Sequence, residues 1–290
     1  MLTIPLRTLR RRILIHAPDE ASASVLSYIR ADPRIEGADA ETVDIEVRRQ
    51  HGFLHATTGA GRVCEGSAAF LLGDLHRLHL SLTQSESPGA PLIHGGTLDT
   101  DKGFVVFVGE KGAGKTTLLL HLAEQGWPVV GDEHLIVGPE NAIPRPRSLR
   151  VKAGTLPYLS EAGRRIVEAS PSTTDWQGSK LHAVEPSAFG RDWVLRPRPI
   201  RAIFMLRAYH GAGSSVRVLT RNAALQLLLP QVLLPETGRA QALGWLARAV
   251  SGAQCFELRN GRLEESRRII YAMMSDSDIH ECDQRPDGGP

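Results

Sequence analysis

Read for alternation alone, the chain divides into segments of two periods. Ile13-Leu14-Ile15 is a short apolar run, and Val43-Asp44-Ile45-Glu46-Val47 alternates apolar with polar, both as strands do. Between them, Glu20 to Arg30 carries helical spacing. Gly103-Phe104-Val105-Val106-Phe107-Val108 is apolar throughout, the signature of a strand buried on both faces, and Pro91 to Leu98 precedes it as a second strand across the polar hairpin Asp99 to Lys102. Thr117 to Gln125 returns to helical period and stops at Gly126. Val129-Val130-Gly131, His134 to Val137 and Ile200 to Arg207 read as further strands, while Asn222 to Leu229 and Gly238 to Val250 read as helices separated by Pro230 and Pro235.

These elements predict an α/β chain with a small α/β unit over 1–88, closed by the turn-rich Ser85 to Ala90. A larger α/β unit spans 89–274, and an acidic, turn-rich tail spans 275–290. Ala142 to Lys152, rich in proline and arginine, predicts an extended segment, and Ser170 to Ser179 a polar mobile loop.

Composition narrows the class. Hydrophobic residues make up 42% of 290, enough for a substantial core, and 34 Lys+Arg against 32 Asp+Glu leave a net charge of only +2. That balance supplies no nucleic-acid footprint, and no apolar run approaches the ~20 residues that span a bilayer. Cys64, Cys255 and Cys282 are too few and too scattered for a disulfide scaffold, which fits a reducing cytoplasm. His76 and His79 with Cys64 lack a close second pair and read as ordinary helix or strand residues rather than metal ligands.

The chemistry begins between the buried strand and the helix. Gly109-Glu110-Lys111-Gly112-Ala113-Gly114-Lys115-Thr116 fits the phosphate-loop pattern G-x-x-x-x-G-K-[ST] and has the flanks that pattern needs. Gly109 to Thr117 is therefore the candidate nucleotide site for ATP or GTP. Loop amides and the helix's positive end would face the phosphates, Lys115 would reach their outer oxygens, and the Thr116 hydroxyl would ligate magnesium. Asp132, seventeen residues after Lys115, is the candidate general base. Glu133 beside it would point to the opposite side if the strand continued, as a magnesium ligand or base partner. His94, ending a strand in Ile-His-Gly-Gly, is a further candidate. Arg145, Arg147, Arg150 and Lys152, and later Arg196, Arg198 and Arg201, could clamp phosphate or an acidic peptide as well as line solvated strands. Of the basic residues, Arg147 and Lys180 are the candidate substrate contacts, Lys180 through closure of the polar loop before it.

Ile93-His94-Gly95, Gly109 to Thr117, Gly126 to Glu133 and Pro144 to Leu149 together resemble the bacterial HPr kinase/phosphorylase family and its shorter relatives, including those found with lasso-peptide and other peptide-modification genes. The resemblance implies a P-loop nucleotide fold similar to that of phosphoenolpyruvate carboxykinase and ATP- and magnesium-dependent phosphorylation of a serine. It also implies a peptide or small-protein acceptor, a homo-oligomer, Asp132 as base, Glu133 as metal or base partner, and His94 near the terminal phosphate. Authentic HPr enzymes carry Asp-Asp where this chain has Asp132-Glu133, and Ser where it has Thr116. The late phosphorylase signature has no copy here. Two other classes remain open: a compact P-loop small-molecule kinase, and a nucleotide-binding regulatory ATPase without a phosphate acceptor.

Overall fold

Alternation becomes register in the first sheet, where Ile13 and Ile15 on one strand pair with Val43 and Ile45 on another and send their side chains into the core. The computed structural model describes residues 2–37, 40–174, 178–209 and 211–275. The tail expected beyond 275 and Cys282 lie outside the described residues.

The first unit holds β1 (Leu2–Arg7), β2 (Arg11–Ala17), α1 (Glu20–Leu26), β3 (Arg34–Ile35), β4 (Glu41–Gln50), β5 (Phe53–Thr58), β6 (Gly61–Gly66) and α2 (Ala68–Glu86). Its sheet runs β1-β2-β4-β5-β6, with β2 and β4 parallel and the other neighbours antiparallel. Asp19 caps α1 by accepting from the Ser22 N–H at 2.7 Å, and Ser67 caps α2 through Phe70. The break expected at Ser85 begins later, because α2 continues to Glu86. The Glu86 carboxylate accepts from the Thr8 hydroxyl at 2.8 Å and from Arg11 at 2.7 Å, so tertiary partners outweigh turn propensity there.

The second unit follows with β7 (Leu92–Thr100), β8 (Gly103–Gly109), α3 (Lys115–Glu124), β9 (Val129–Gly131), β10 (His134–Val137), β11 (Ala142–Pro144) and β12 (Leu149–Lys152). Then come α4 (Glu161–Ala169), β13 (Ser172–Thr174), β14 (Lys180–Val184), β15 (Val194–Leu195), β16 (Ile200–Ala208), β17 (Ser215–Val218), α5 (Arg221–Leu228), β18 (Val232–Leu233), α6 (Arg239–Gly252), β19 (Gln254–Asn260) and α7 (Leu263–Ser275). The large sheet has the order β11-β10-β7-β8-β16-β19-β17, and β9 and β18 also pair with β7. Its centre is parallel, β8 to β16 to β19, which explains the unbroken apolar run Phe104 to Val108. Phe107, Phe204 and Phe256 are in register across those strands and stack at 5.5 and 4.9 Å. The strands of the hairpin reach closer to its tip than expected, leaving only Asp101 and Lys102 between Thr100 and Gly103.

α3 and α7 pack on one face of this sheet together with the small sheet β12-β14-β13. On the other, the apolar side chains of α5 and α6 join those of the first unit in one continuous core. The units are also stitched by hydrogen bonds. β15 pairs in parallel with β3, and the Ser148 hydroxyl donates to the Arg30 carbonyl at 2.5 Å. Among the described residues no helix is long and apolar enough to cross a membrane.

Candidate functional site

The glycine loop leaves β8 at Gly109 and enters α3 at Lys115. Gly112 and Gly114 take φ values of +89° and +85°, where a side chain is strained, and Gly114 precedes the first helical residue. A Cβ on Gly114 would also stand 2.7 Å from the Asn260 amide nitrogen. Gly114→Ala should therefore cost about 1–3 kcal/mol, from left-handed strain and a displaced hydrogen bond, with lowered nucleotide affinity. Urea denaturation and nucleotide titration of the variant check both expectations.

Lys115 is buried at the start of α3, its ammonium donating to the Gly109 carbonyl at 2.6 Å and the Glu110 carbonyl at 3.2 Å. Burial lowers its pKa and Asp132 partly restores it. The Thr116 hydroxyl donates to Asp132 Oδ2 at 2.7 Å, and Thr117 meets Thr155 at 3.3 Å. Burial pushes the Asp132 carboxyl up to about 7 against the opposing pull of Thr116, Lys115 and Arg147. Asp132 Oδ1 is buried without a close hydrogen-bond partner, the Arg150 backbone N–H adding a weak downward pull on the carboxyl.

Asp132 and Glu133 do not continue a strand. They form the bend between β9 and β10, both of which pair with β7, so the expected opposite orientation fails and both residues line one cavity. That cavity, about 690 Å³, also brings together His94, Lys111, Gly112, Gly114, Lys115, Thr116, Thr117, Arg150 and Lys152. Of the remaining loop residues, Gly109, Glu110 and Ala113 line a neighbouring recess against β16 and α5. His94 is brought to Asp132 because β7 and β10 align it with His134, and the Gly95 N–H donates to the Glu133 carbonyl at 3.1 Å. Burial, then the charges of Lys115 and Arg147, lower the His94 pKa. Both effects favour the neutral imidazole.

Glu133 is engaged by Arg147 in a close ion pair and by Arg145 at 3.5 Å, and it lines the cavity beside Asp132. Oxygen donors also meet at Thr116 and Asp132. The Thr116 hydroxyl and the Asp132 carboxylate, one of whose oxygens has no close partner, are hard oxygen donors of the kind magnesium takes.

Two expected substrate contacts part company. Arg147 reaches the site by way of Glu133, whereas Lys180 opens β14 in register with Thr174, is exposed, and does not line the cavity. Arg196 and Arg198 also lie elsewhere. Arg196 donates to Asp99 at 2.8 Å and Arg198 to the Thr100 carbonyl at 2.6 Å, so they brace the β7–β8 hairpin.

Sequence reasoning missed Asn260. Buried at the end of β19, it donates to the Ala113 carbonyl at 3.2 Å and accepts from Ser266 at 2.9 Å, tying the β19–α7 junction to the glycine loop. The Asn260-Gly261 dipeptide was a visible turn signal, but its apposition to residue 113 was not. His76 and His79 lie on α2, as read, yet both serve the arginine segment. Arg150 donates to His76 at 3.0 Å and Arg145 to His79 at 2.9 Å.

No family model and no curated protein matches the chain. The chain is similar to the solved structure of the Hpr(Ser) kinase/phosphatase from Coxiella burnetii at 14% identity, over 63% of this chain and 97% of that one, with a TM-score of 0.31.

Proposed function

We propose that this chain is an ATP- and magnesium-dependent phosphotransferase, a P-loop kinase of HPr-kinase type that places the terminal phosphate of the nucleotide on a serine or other hydroxyl of a peptide or small protein in the cytoplasm. The observation that carries the reading is that one cavity is lined by Lys115 and Thr116 of the glycine loop and by Asp132 and His94. The peptide acceptor draws its support from the sequence resemblance.

The amides of the loop and the positive end of α3 receive the phosphate oxygens, and Lys115 exchanges its two loop carbonyls for them. Asp132 accepts the proton of the acceptor hydroxyl as its oxygen attacks phosphorus in line. The bond from phosphorus to the bridging oxygen breaks, and a nucleoside diphosphate leaves. Burial raises the Asp132 pKa in the ligand-free chain, which makes it a stronger base than an ordinary carboxylate. Neutral His94 orients the acceptor by hydrogen bonding rather than by charge. Thr116, with a carboxylate of the Asp132–Glu133 bend, would hold magnesium, which when bound would supply neutralisation of phosphate charge.

The test is transfer of labelled γ-phosphate, with magnesium, to a panel of serine-containing peptides and small proteins. Label on a hydroxyl side chain supports the reading. Nucleotide binding with no labelled acceptor across the panel, and only free phosphate formed, would sink it in favour of an ATPase switch.

A further inference from the structure

Arg150 lines the cavity, and behind it the segment that carries it holds more positive charge than its carboxylate partners neutralise. Arg145, Arg147 and Arg150 fall within six residues of each other, on the segment from β11 into β12. The guanidiniums of Arg145 and Arg147 share one carboxylate, Glu133, and Arg150 beside them has no carboxylate partner among the described residues, which leaves the segment with more positive than negative charge. Asp132 is already shared among Thr116, Lys115 and Arg147.

Arg150 is the least satisfied of the three. It makes no ion pair among the described residues, and its Nε and Nη1 are buried without a close hydrogen-bond partner, as are the Nε atoms of Arg145 and Arg147; the Tyr28 side chain supports its charge but supplies no carboxylate. Its position is nevertheless fixed. β12 holds its backbone opposite Ala183 of β14, its guanidinium lies 3.8 Å from the centre of the Tyr28 ring, and its Nη2 donates to His76 Nε2. Burial holds His76 neutral, with its pKa lowered to about 2, so it serves as an acceptor and not as a fourth cation. A buried guanidinium with idle N–H groups is unfavourable alone and becomes favourable when an anion arrives. The fork matches phosphate oxygens, and the excess charge matches a dianion better than a single carboxylate.

We propose that Arg150, with Arg147 behind it, forms a second oxyanion subsite in the cavity, separate from the glycine loop, that takes a tetrahedral phosphate or phosphomonoester group. Which phosphate fills it rests on the nucleotide reading above: either the terminal phosphate of the nucleotide or a phosphate carried by the acceptor. Tyr28 and His76 are positioning residues for this subsite, contributed by the first unit.

The test is calorimetric titration of inorganic phosphate into the full chain, first alone, then with saturating magnesium-ADP, then with a non-hydrolysable ATP analogue. Phosphate should bind the ADP-loaded protein, and Arg150→Gln should weaken that binding by about tenfold or more, with Arg150→Lys falling between. If the analogue abolishes phosphate binding, the subsite takes the nucleotide's terminal phosphate; if binding persists, it takes the acceptor's. ADP-loaded native protein that binds no phosphate overturns the proposal without any variant having to fold. If ADP itself fails to bind, the nucleotide reading falls separately. Phosphate binding to the native chain that depends on Arg150 would then still support the subsite, and binding unchanged in Arg150→Gln would overturn it.

Discussion

Asp132→Asn should lower phosphate transfer by about 10²–10⁴-fold, the usual range for a lost general base, while the ligand-free protein becomes more stable to heat. The two effects share one cause. Burial raises the Asp132 carboxyl to about 7, so the folded state holds its proton at pH values where the unfolded chain has released it. Stability associated with this group is therefore greatest below the ordinary carboxylate range and is lost as pH rises toward about 7. Asparagine carries no charge to bury. The gain in melting temperature should be largest near about pH 8 and should vanish near about pH 4, read from scans of native and variant protein across that interval. A variant that loses transfer but shows no pH-dependent gain would place Asp132 in a less buried setting than its orphaned Oδ1 indicates.

Lys115→Met should abolish detectable transfer, with a loss of at least about 10²–10³-fold, and should weaken nucleotide binding as well. Methionine keeps most of the aliphatic stem that fills the space at the start of α3 but removes the charge that meets the phosphates. The ammonium is buried, and its contacts are the Gly109 and Glu110 carbonyls of its own loop. Losing it should leave the fold near its native stability, so a urea midpoint close to native alongside the collapse of transfer separates a chemical role from a structural one. Transfer that survives Lys115→Met would mean the phosphates lie elsewhere.

The glycine loop was legible because its whole requirement is local. A buried strand, two glycines at positive φ and a helix start are all written within about twenty contiguous residues, and Asp132 follows at the next strand. What sequence could not supply was the direction of pairing and the long-range apposition. Periodicity marks Val129 to Val137 as strand-like but does not reveal that the chain bends at Asp132 and Glu133 to pair twice with β7, which turns two opposed carboxylates into neighbours. Lys180 follows a polar loop in sequence, yet the register of β14 with β13 carries it to the outside. Arg150 was visible as one arginine among several. Its setting depends on Tyr28 and His76, more than seventy residues earlier in the chain, and no local pattern encodes that meeting.

The strand pair β3–β15 bears on how the molecule comes apart. The chain leaves the first unit at about residue 88, but a piece of that unit is completed by residues 194 and 195, and the apolar interior is continuous across the join. Neither half can shed the other without exposing core and orphaning backbone hydrogen bonds. Chemical denaturation should accordingly give a single transition, with tryptophan fluorescence and circular dichroism coincident. A nick in the 87–91 connection should leave two fragments that remain associated and melt together. Arg150, held by Tyr28 and His76 of the first unit, would then lose its setting in the same step as the sheet.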